Sequence, residues 1–270
     1  MKIVISFNSN YWPLADALLL SISNNCSLAS EITVLTDCDE TIRQYLEHLE
    51  NKYGKLNRIT LRIVDISEKL LPFNSFGRFP KLAFARLFID HYCSGRVLYL
   101  DVDTLILSDL KSLYHWNIEE YGIAAVEDYG IHVSLREKSI IKKSSYLNAG
   151  VILLDCSKTY VKKRLSEARN LACLNHYEYG DQDALNIVLK GNFHKLPLRF
   201  NNYAFFRKDV KVIHFAHIKP WQNSRFVISY KDYYCFDKSN LACDPNVSVK
   251  KTLFIILLQL YIKIFKKSMF

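Results

Sequence analysis

Short apolar runs alternate with helix-like segments from Lys2 to Leu100, and few folds accommodate that alternation. Strand-like runs at Lys2–Phe7, Glu31–Leu35, Arg58–Val64 and Arg96–Leu100 are separated by helical patterns over Leu14–Asn24, Glu40–Tyr53 and Pro80–Cys93. A strand, a crossover helix and a parallel strand form the repeating unit of α/β proteins. The pattern therefore predicts a doubly wound, mostly parallel sheet flanked by helices. Further strands are expected at Ile123–Val126, Ala149–Leu154 and Val210–Phe215. Pro80 suits the first turn of its helix, where no backbone donor is needed. Ligands bind such sheets beyond the carboxyl ends of their strands.

The fourth run continues as Leu100-Asp101-Val102-Asp103-Thr104-Leu105. An unpaired carboxylate is costly inside a sheet, so the two acids should stand where the strand leaves it. Residues i and i+2 of an extended backbone share a side, which lets Asp101 and Asp103 converge on one divalent cation. A strand end with a turn, where Asp is common anyway, fits an isolated Asp-x-Asp equally well. Three more clusters carry polar groups. Tyr146-Leu-Asn148-Ala149-Gly150 heads a buried strand, with Gly150 permitting close backbone approach to a ligand or marking a plain turn. Gly180-Asp181-Gln182-Asp183 reads as a helix start whose acids the helix dipole alone would explain. Val212-Ile-His214-Phe-Ala-His217-Ile-Lys219-Pro220-Trp221 runs from a strand into a loop with a cation, which could also be a surface turn. No Gly-x-Gly-x-x-Gly follows the first strand and no Walker A sequence occurs, so nicotinamide dinucleotides and P-loop chemistry are not expected.

The formal charge of +9 concentrates at the carboxyl end, where Lys250, Lys251, Lys263, Lys266 and Lys267 occur and no acid falls between Val249 and Phe270. Such a distribution implies a tail with its own partner and argues against a nucleic-acid-binding face. The 7 cysteines show no Cys-x-x-Cys spacing, which fits a reducing compartment and no zinc ribbon. Met1-Lys-Ile-Val-Ile-Ser enters a strand directly, without the apolar region and cleavage site of a standard export signal.

Taken together and in this order, the four polar clusters resemble glycosyltransferase family 8, the group of glycogenin and the bacterial lipooligosaccharide galactosyltransferases. The resemblance runs from Lys2 to Trp221. It rests on Asp101-Val-Asp103 after a buried strand, Asn148-Ala149-Gly150, Asp181-Gln182-Asp183, and His214 followed by Lys219-Pro220-Trp221. It implies a GT-A fold and a retaining hexosyltransferase that moves galactose or glucose from a UDP-sugar donor to a glycan or glycolipid acceptor. Asp101, Asp103 and His214 would hold Mn²⁺, with Mg²⁺ as the substitute; an O,O,N donor set suits Mn²⁺ better. Arg86, Val102 and Lys219 would contact the donor. Asn148, Ala149, Gly150, Asp181 and Gln182 would line the donor sugar, with Gln182 and Asp181 in the catalytic roles.

Two departures from the family pattern stand out. An Asp usually lies near the uracil, whereas this chain has Asn8, followed by Asn10 and Tyr11. Asn8 can hydrogen-bond a base edge and Tyr11 can stack on it. A Gly usually precedes Lys-Pro-Trp; here the segment is one residue short and His217 stands near that place as a substitute phosphate donor.

The organisation expected is a GT-A domain over residues 1–248 and a basic, apolar tail over 249–270. Thr252–Ile262 is too short to span a bilayer, which takes about 20 residues. It suits a helix lying on an anionic membrane surface, making the protein peripheral on the cytoplasmic face. The alternative is a terminal helix docked on the core or on a second subunit. Two rival functions follow from the same residues: a haloacid-dehalogenase-like phosphatase with Asp101 as nucleophile, and a sugar-nucleotide-binding module without turnover.

Overall fold

The computed structural model describes residues 1–37, 40–53, 58–74, 80–133, 144–206, 208–222, 224–227 and 247–265. Seven strands form one sheet in the order β3-β2-β1-β4-β7-β6-β8. They are β1 (Lys2–Ser6), β2 (Ser30–Thr36), β3 (Ile59–Asp65), β4 (Arg96–Asp101), β6 (Ile123–Glu127), β7 (Leu147–Asp155) and β8 (His194–Leu196). β1 pairs in parallel with both β2 and β4, and β6 with β8. β7 alone runs against its neighbours β4 and β6. The expected mostly parallel sheet is therefore present, as a mixed sheet with one reversed strand.

Strands buried on both faces need unbroken apolar sequence. β4 meets that with Val97, Leu98, Tyr99 and Leu100, all 0% exposed. One face of the sheet packs on the Trp12–Asn25 helix through Leu14, Leu18 and Ile22. The other packs on the Thr159–Leu174 helix, whose buried Val161, Leu165, Ala168 and Ala172 recur at helical spacing. That helix and the three-residue β8 were not anticipated. The helix intersperses its apolar stripe with Lys162, Lys163 and Arg164, and β8 is too short to show a period.

The segment expected as a helix over Pro80–Cys93 is instead a 3-10 helix at Lys81–Phe88 followed by one α turn at Ile89–Tyr92. Pro80 caps it in an extended conformation, with φ −69° and ψ 156°. The segment is buried from Phe84 through Phe88, and Leu82 with it.

A second, two-stranded sheet pairs β5 (Thr104–Ile106) with β9 (Val212–His214). It exists because the chain does not continue straight past Asp101 but turns over Val102 and Asp103. Thr104 Oγ1 donates to Asp101 O (2.7 Å) and fixes that turn. The extended geometry expected for the two acids is thus replaced by a turn.

Candidate active site

β2 and β4 flank β1 on opposite sides, so the strand order reverses at β1, and the crevice beyond β1 and β4 is the position where such sheets bind ligands. Ser6, the last residue of β1, pairs in register with Asp101. A cleft of about 340 Å³ opens there. It is lined by Asn8, Tyr11, Arg86, Asp101, Val102, Asp103, Asn148, Asp181, Gln182, His214, His217 and Lys219. Three residues expected in the site stand elsewhere. Asn10 is exposed, and its backbone N–H donates to the Asn8 side chain (3.2 Å). Ala149 and Gly150 are buried in β7 beneath the cleft and act through their backbones.

Asp101 is held by two side chains through three contacts. Tyr99 OH donates to its Oδ1 (2.8 Å), Arg86 Nη2 lies 2.9 Å from the same oxygen, and Arg86 Nη1 is 3.4 Å from Oδ2. Arg86 is itself buried, with Nη1 donating to Ala149 O (2.6 Å) and its plane over the Tyr99 ring at 4.8 Å. A buried guanidinium needs acids around it, and Asp181 completes the set with Oδ2 2.7 Å from Arg86 Nε. Burial dominates the Asp181 carboxyl and, against the pull of Arg86, lifts it to about 6.

Pairing of β5 with β9 sets His214 opposite Thr104 and so beside the acids. His214 Nε2 is 3.3 Å from Asp103 Oδ1 and 3.7 Å from Asp101 Oδ2. Its tautomer follows from a directed chain of amides. Asn148 Nδ2 donates to Asp128 Oδ2 (3.0 Å), and Asn201 Nδ2 donates to Asn148 Oδ1 (2.8 Å). That leaves Asn201 Oδ1 to accept from His214 Nδ1 (2.9 Å), so in the neutral imidazole Nε2 presents its lone pair to the two carboxylates. A lone pair facing two acids is repulsive unless a proton or a cation lies between them. One ligand atom from each of Asp101, Asp103 and His214 lies within 4.8 Å of the others, and the three fit a divalent cation. Burial would raise the Asp103 carboxyl, but the Lys219 ammonium, in contact with Oδ2, and His214 in its protonated form outweigh it. Asp103 therefore ionises well below the usual carboxylate range.

Gly150 has a role different from the expected approach to a ligand. A Cβ added there would lie 2.5 Å from His214 Nδ1 and 2.9 Å from Nε2, so its hydrogen is what admits the imidazole.

The Gly180–Leu189 helix supplies the remaining wall. Gln182 Oε1 accepts from Ala149 N (2.9 Å), while Nε2 donates to Asp128 Oδ2 (3.2 Å) and Tyr146 OH (3.3 Å). Asp183 is fully buried, accepting from Tyr179 N (2.8 Å) and from the Tyr146 hydroxyl. Its position is structural.

Asp128 and Asn201 escaped the sequence reading. Asp128 lines the cleft and orients both Asn148 and Gln182, while Gly130 N donates to its Oδ1 (2.9 Å). It follows the apolar strand β6 just as Asp101 closes β4, so the same signal marked it. Asn201 follows a short 3-10 turn at Leu198–Phe200 and has no comparable signal.

The family model of Glycosyl transferase family 8 matches residues 2–225. General stress protein A of Bacillus subtilis (strain 168) is 28% identical over 183 residues, 57% of this chain and 63% of that protein. Lipopolysaccharide 1,3-galactosyltransferase of Salmonella typhimurium (strain LT2) is 28% identical over 235 residues, 77% of this chain and 68% of that one. The chain thus spans just under two thirds of the first of these relatives. Among solved structures, galactosyltransferase LgtC in complex with donor and acceptor sugar analogs superposes with a TM-score of 0.71 at 24% identity. That alignment covers 94% of this chain and all of the other, and it establishes the GT-A fold. A match over residues 2–225 leaves no place for the phosphatase alternative, and the chain belongs to glycosyl transferase family 8.

Proposed function

We propose that the protein is a retaining hexosyltransferase that moves galactose or glucose from a UDP-sugar to a glycan acceptor. The observation that carries this reading is the trio of Asp101, Asp103 and His214 at the sheet's switch point, with His214 Nε2 3.3 Å from Asp103 Oδ1 and 3.7 Å from Asp101 Oδ2. Mn²⁺ held by this O,O,N set would neutralise charge gathering on the diphosphate leaving group. Lys219 adds a point charge to the same phosphates. Asn8 and Tyr11 receive the uracil, and Val102 lines the same cleft. Asn148 and Asp181 hold donor-sugar hydroxyls, which an amide and a carboxylate are equipped to recognise.

Gln182 is fixed by three hydrogen bonds, and its amide oxygen is a weak nucleophile. Asp183 is sealed behind Tyr146, and Asp181 is paired with Arg86. This supports a front-face transfer, in which the leaving phosphate takes the acceptor hydroxyl's proton and Gln182 stabilises positive charge at the anomeric carbon. The acceptor is proposed to be a lipid-linked oligosaccharide, in keeping with relatives named as lipopolysaccharide glycosyltransferases.

No helix among the described residues is long and apolar enough to cross a membrane. On the Val249–Phe265 helix, Leu253, Leu257, Leu260 and Ile264 form one stripe, between 45% and 60% exposed. Lysines 250 and 263 flank it. An apolar stripe beside cations suits an anionic lipid surface, so this face is assigned to peripheral attachment at the inner face of the membrane. The test of activity is UDP release from a panel of UDP-sugars with Mn²⁺, with and without EDTA. Release that depends on the metal supports the transferase; tight binding without release would instead make the chain an inactive sugar-nucleotide module.

A further inference from the structure

A second cavity, of about 260 Å³, shares no lining residue with the transfer cleft. It opens at the carboxyl end of the edge strand β8, where Lys195 and Leu196 lead through Pro197 into the 3-10 turn at Leu198–Phe200. Its walls combine two aromatic rings, Trp116 and Phe206, with three cations, Lys195, Arg199 and Lys208, against one acid, Asp209. Lys195 is paired with Glu127, Nζ to Oε2 at 3.0 Å. Arg199 and Lys208 are exposed, and among the described residues neither stands within ion-pair distance of an acid. The cavity therefore carries positive charge beside apolar ring surface.

Its wall is held in a conformation that the chain would not adopt unaided. Phe205 has φ +58° and Asp209 φ +53°, left-handed values that a bulky aromatic residue rarely takes. Buried Asn202 clamps the loop between them: its Oδ1 accepts from Phe206 N (3.1 Å) and its Nδ2 donates to Phe206 O. Asn202 is itself tied to β9, donating from its N–H to Val212 O (2.9 Å) and accepting from His214 N (3.3 Å). Phe205 packs on Phe215 and Phe226, with ring centres 6.1 and 5.9 Å away. Trp116 is anchored too, its carbonyl accepting from Arg96 Nη1 (2.6 Å) and its ring meeting Phe200 edge-on at 5.8 Å. Strain of this kind persists only where the surroundings impose it, and it concentrates at ligand sites. Aromatic surface suits the C–H face of a pyranose ring, and a guanidinium beside an ammonium suits a phosphate carried on that ring.

We propose that this cavity is a binding site for a phosphorylated saccharide, separate from the transfer cleft. Trp116 and Phe206 take the sugar ring, and Arg199 and Lys208 the phosphate. The proposal rests on membership of a glycosyl transferase family and not on the UDP-sugar reading. Calorimetric titration of the full chain in EDTA with glucose 6-phosphate, glucose, inorganic phosphate and AMP tests it. Glucose 6-phosphate is expected to bind at least about tenfold tighter than glucose or phosphate, because ring and anion each add contacts. Arg199→Gln combined with Lys208→Gln should weaken it at least about tenfold at unchanged Tm, since both side chains are exposed. Trp116→Leu should weaken it as well, whereas Lys219→Gln, in the transfer cleft, should match the parent. No saturable binding by the parent, or affinity kept within twofold in the Arg199 and Lys208 double variant, overturns the proposal. A loss in Lys219→Gln instead would put the sugar phosphate in the transfer cleft and overturn it equally. Phosphate alone binding as tightly as glucose 6-phosphate, or AMP binding more tightly, would overturn the saccharide assignment.

Discussion

Gly150→Ala isolates the geometry of the proposed metal centre, because the change is one methyl group on a residue that supplies none of the three proposed metal-holding side chains. Gly150 lies in β7 and is not among the glycines with positive φ, so alanine fits the backbone and the effect is purely steric. The new Cβ would stand 2.5 Å from His214 Nδ1, whereas ordinary contact begins at 3.4 Å. The imidazole must therefore retreat by roughly 1 Å. His214 Nδ1 is hydrogen-bonded to Asn201 at 2.9 Å, and that movement breaks or bends the bond. Overpacking costs about 1–3 kcal/mol and a lost buried hydrogen bond about 1–3 more. At about 2–4 °C per kcal/mol for a domain of this size, Tm should fall by about 4–24 °C. Displacing one of three ligands should weaken Mn²⁺ binding about 10–100-fold, the range seen when a ligand loses its outer support. Thermal denaturation with and without Mn²⁺ reads both quantities together. The variant should lose most of the metal-induced rise in Tm. A variant that keeps the parent's metal-induced rise would refute the placement of His214 as a ligand.

The remaining predictions concern charge and surface. Asp181 is an acid whose folded-state carboxyl is raised from 3.8 to about 6 by burial, equivalent to about 3 kcal/mol. The folded state therefore holds its proton more tightly than the unfolded chain, and this contribution to stability is complete below about pH 4 and lost as pH rises through about 6. Asp181→Asn should match the parent near pH 4 and be more stable by up to about 3 kcal/mol near pH 7 without metal, while losing transferase activity; a stability gap independent of pH would contradict the assignment. On the tail helix, Leu253→Ser combined with Leu257→Ser should cut binding to anionic phosphatidylglycerol vesicles at least tenfold, about 1.4 kcal/mol, because both side chains are about half exposed. Tm should hardly change, and undiminished sedimentation with vesicles would remove the membrane assignment.

The amino-terminal strands and the Asp pair were legible because each depends on local sequence. An apolar run with an acid at its end shows both burial and exit, which is why Asp101 stood out and why Asp128 could have. His214 was readable as a residue but not as a neighbour of Gly150 and Asn201. Those contacts depend on the reversal of β7 and on the pairing of β9, which falls within the strand expected at Val210–Phe215, with β5, whose three residues are too few to register as a pattern. The tail illustrates the same limit: its composition showed an apolar helix with lysines, whereas which face docks on the core is fixed by Phe254 and Ile255 meeting residues far away in sequence.

The central claim is that Asp101, Asp103 and His214 hold a cation that ties the donor diphosphate to the protein. Calorimetric titration of UDP into the protein, with Mn²⁺ and with EDTA, tests it directly when repeated on Asp103→Asn. The account predicts UDP affinity at least tenfold tighter with Mn²⁺, a coupling of about 1.4 kcal/mol or more, and no such difference in the variant. Equal UDP affinity in Mn²⁺ and EDTA, or full coupling retained in Asp103→Asn, would contradict it.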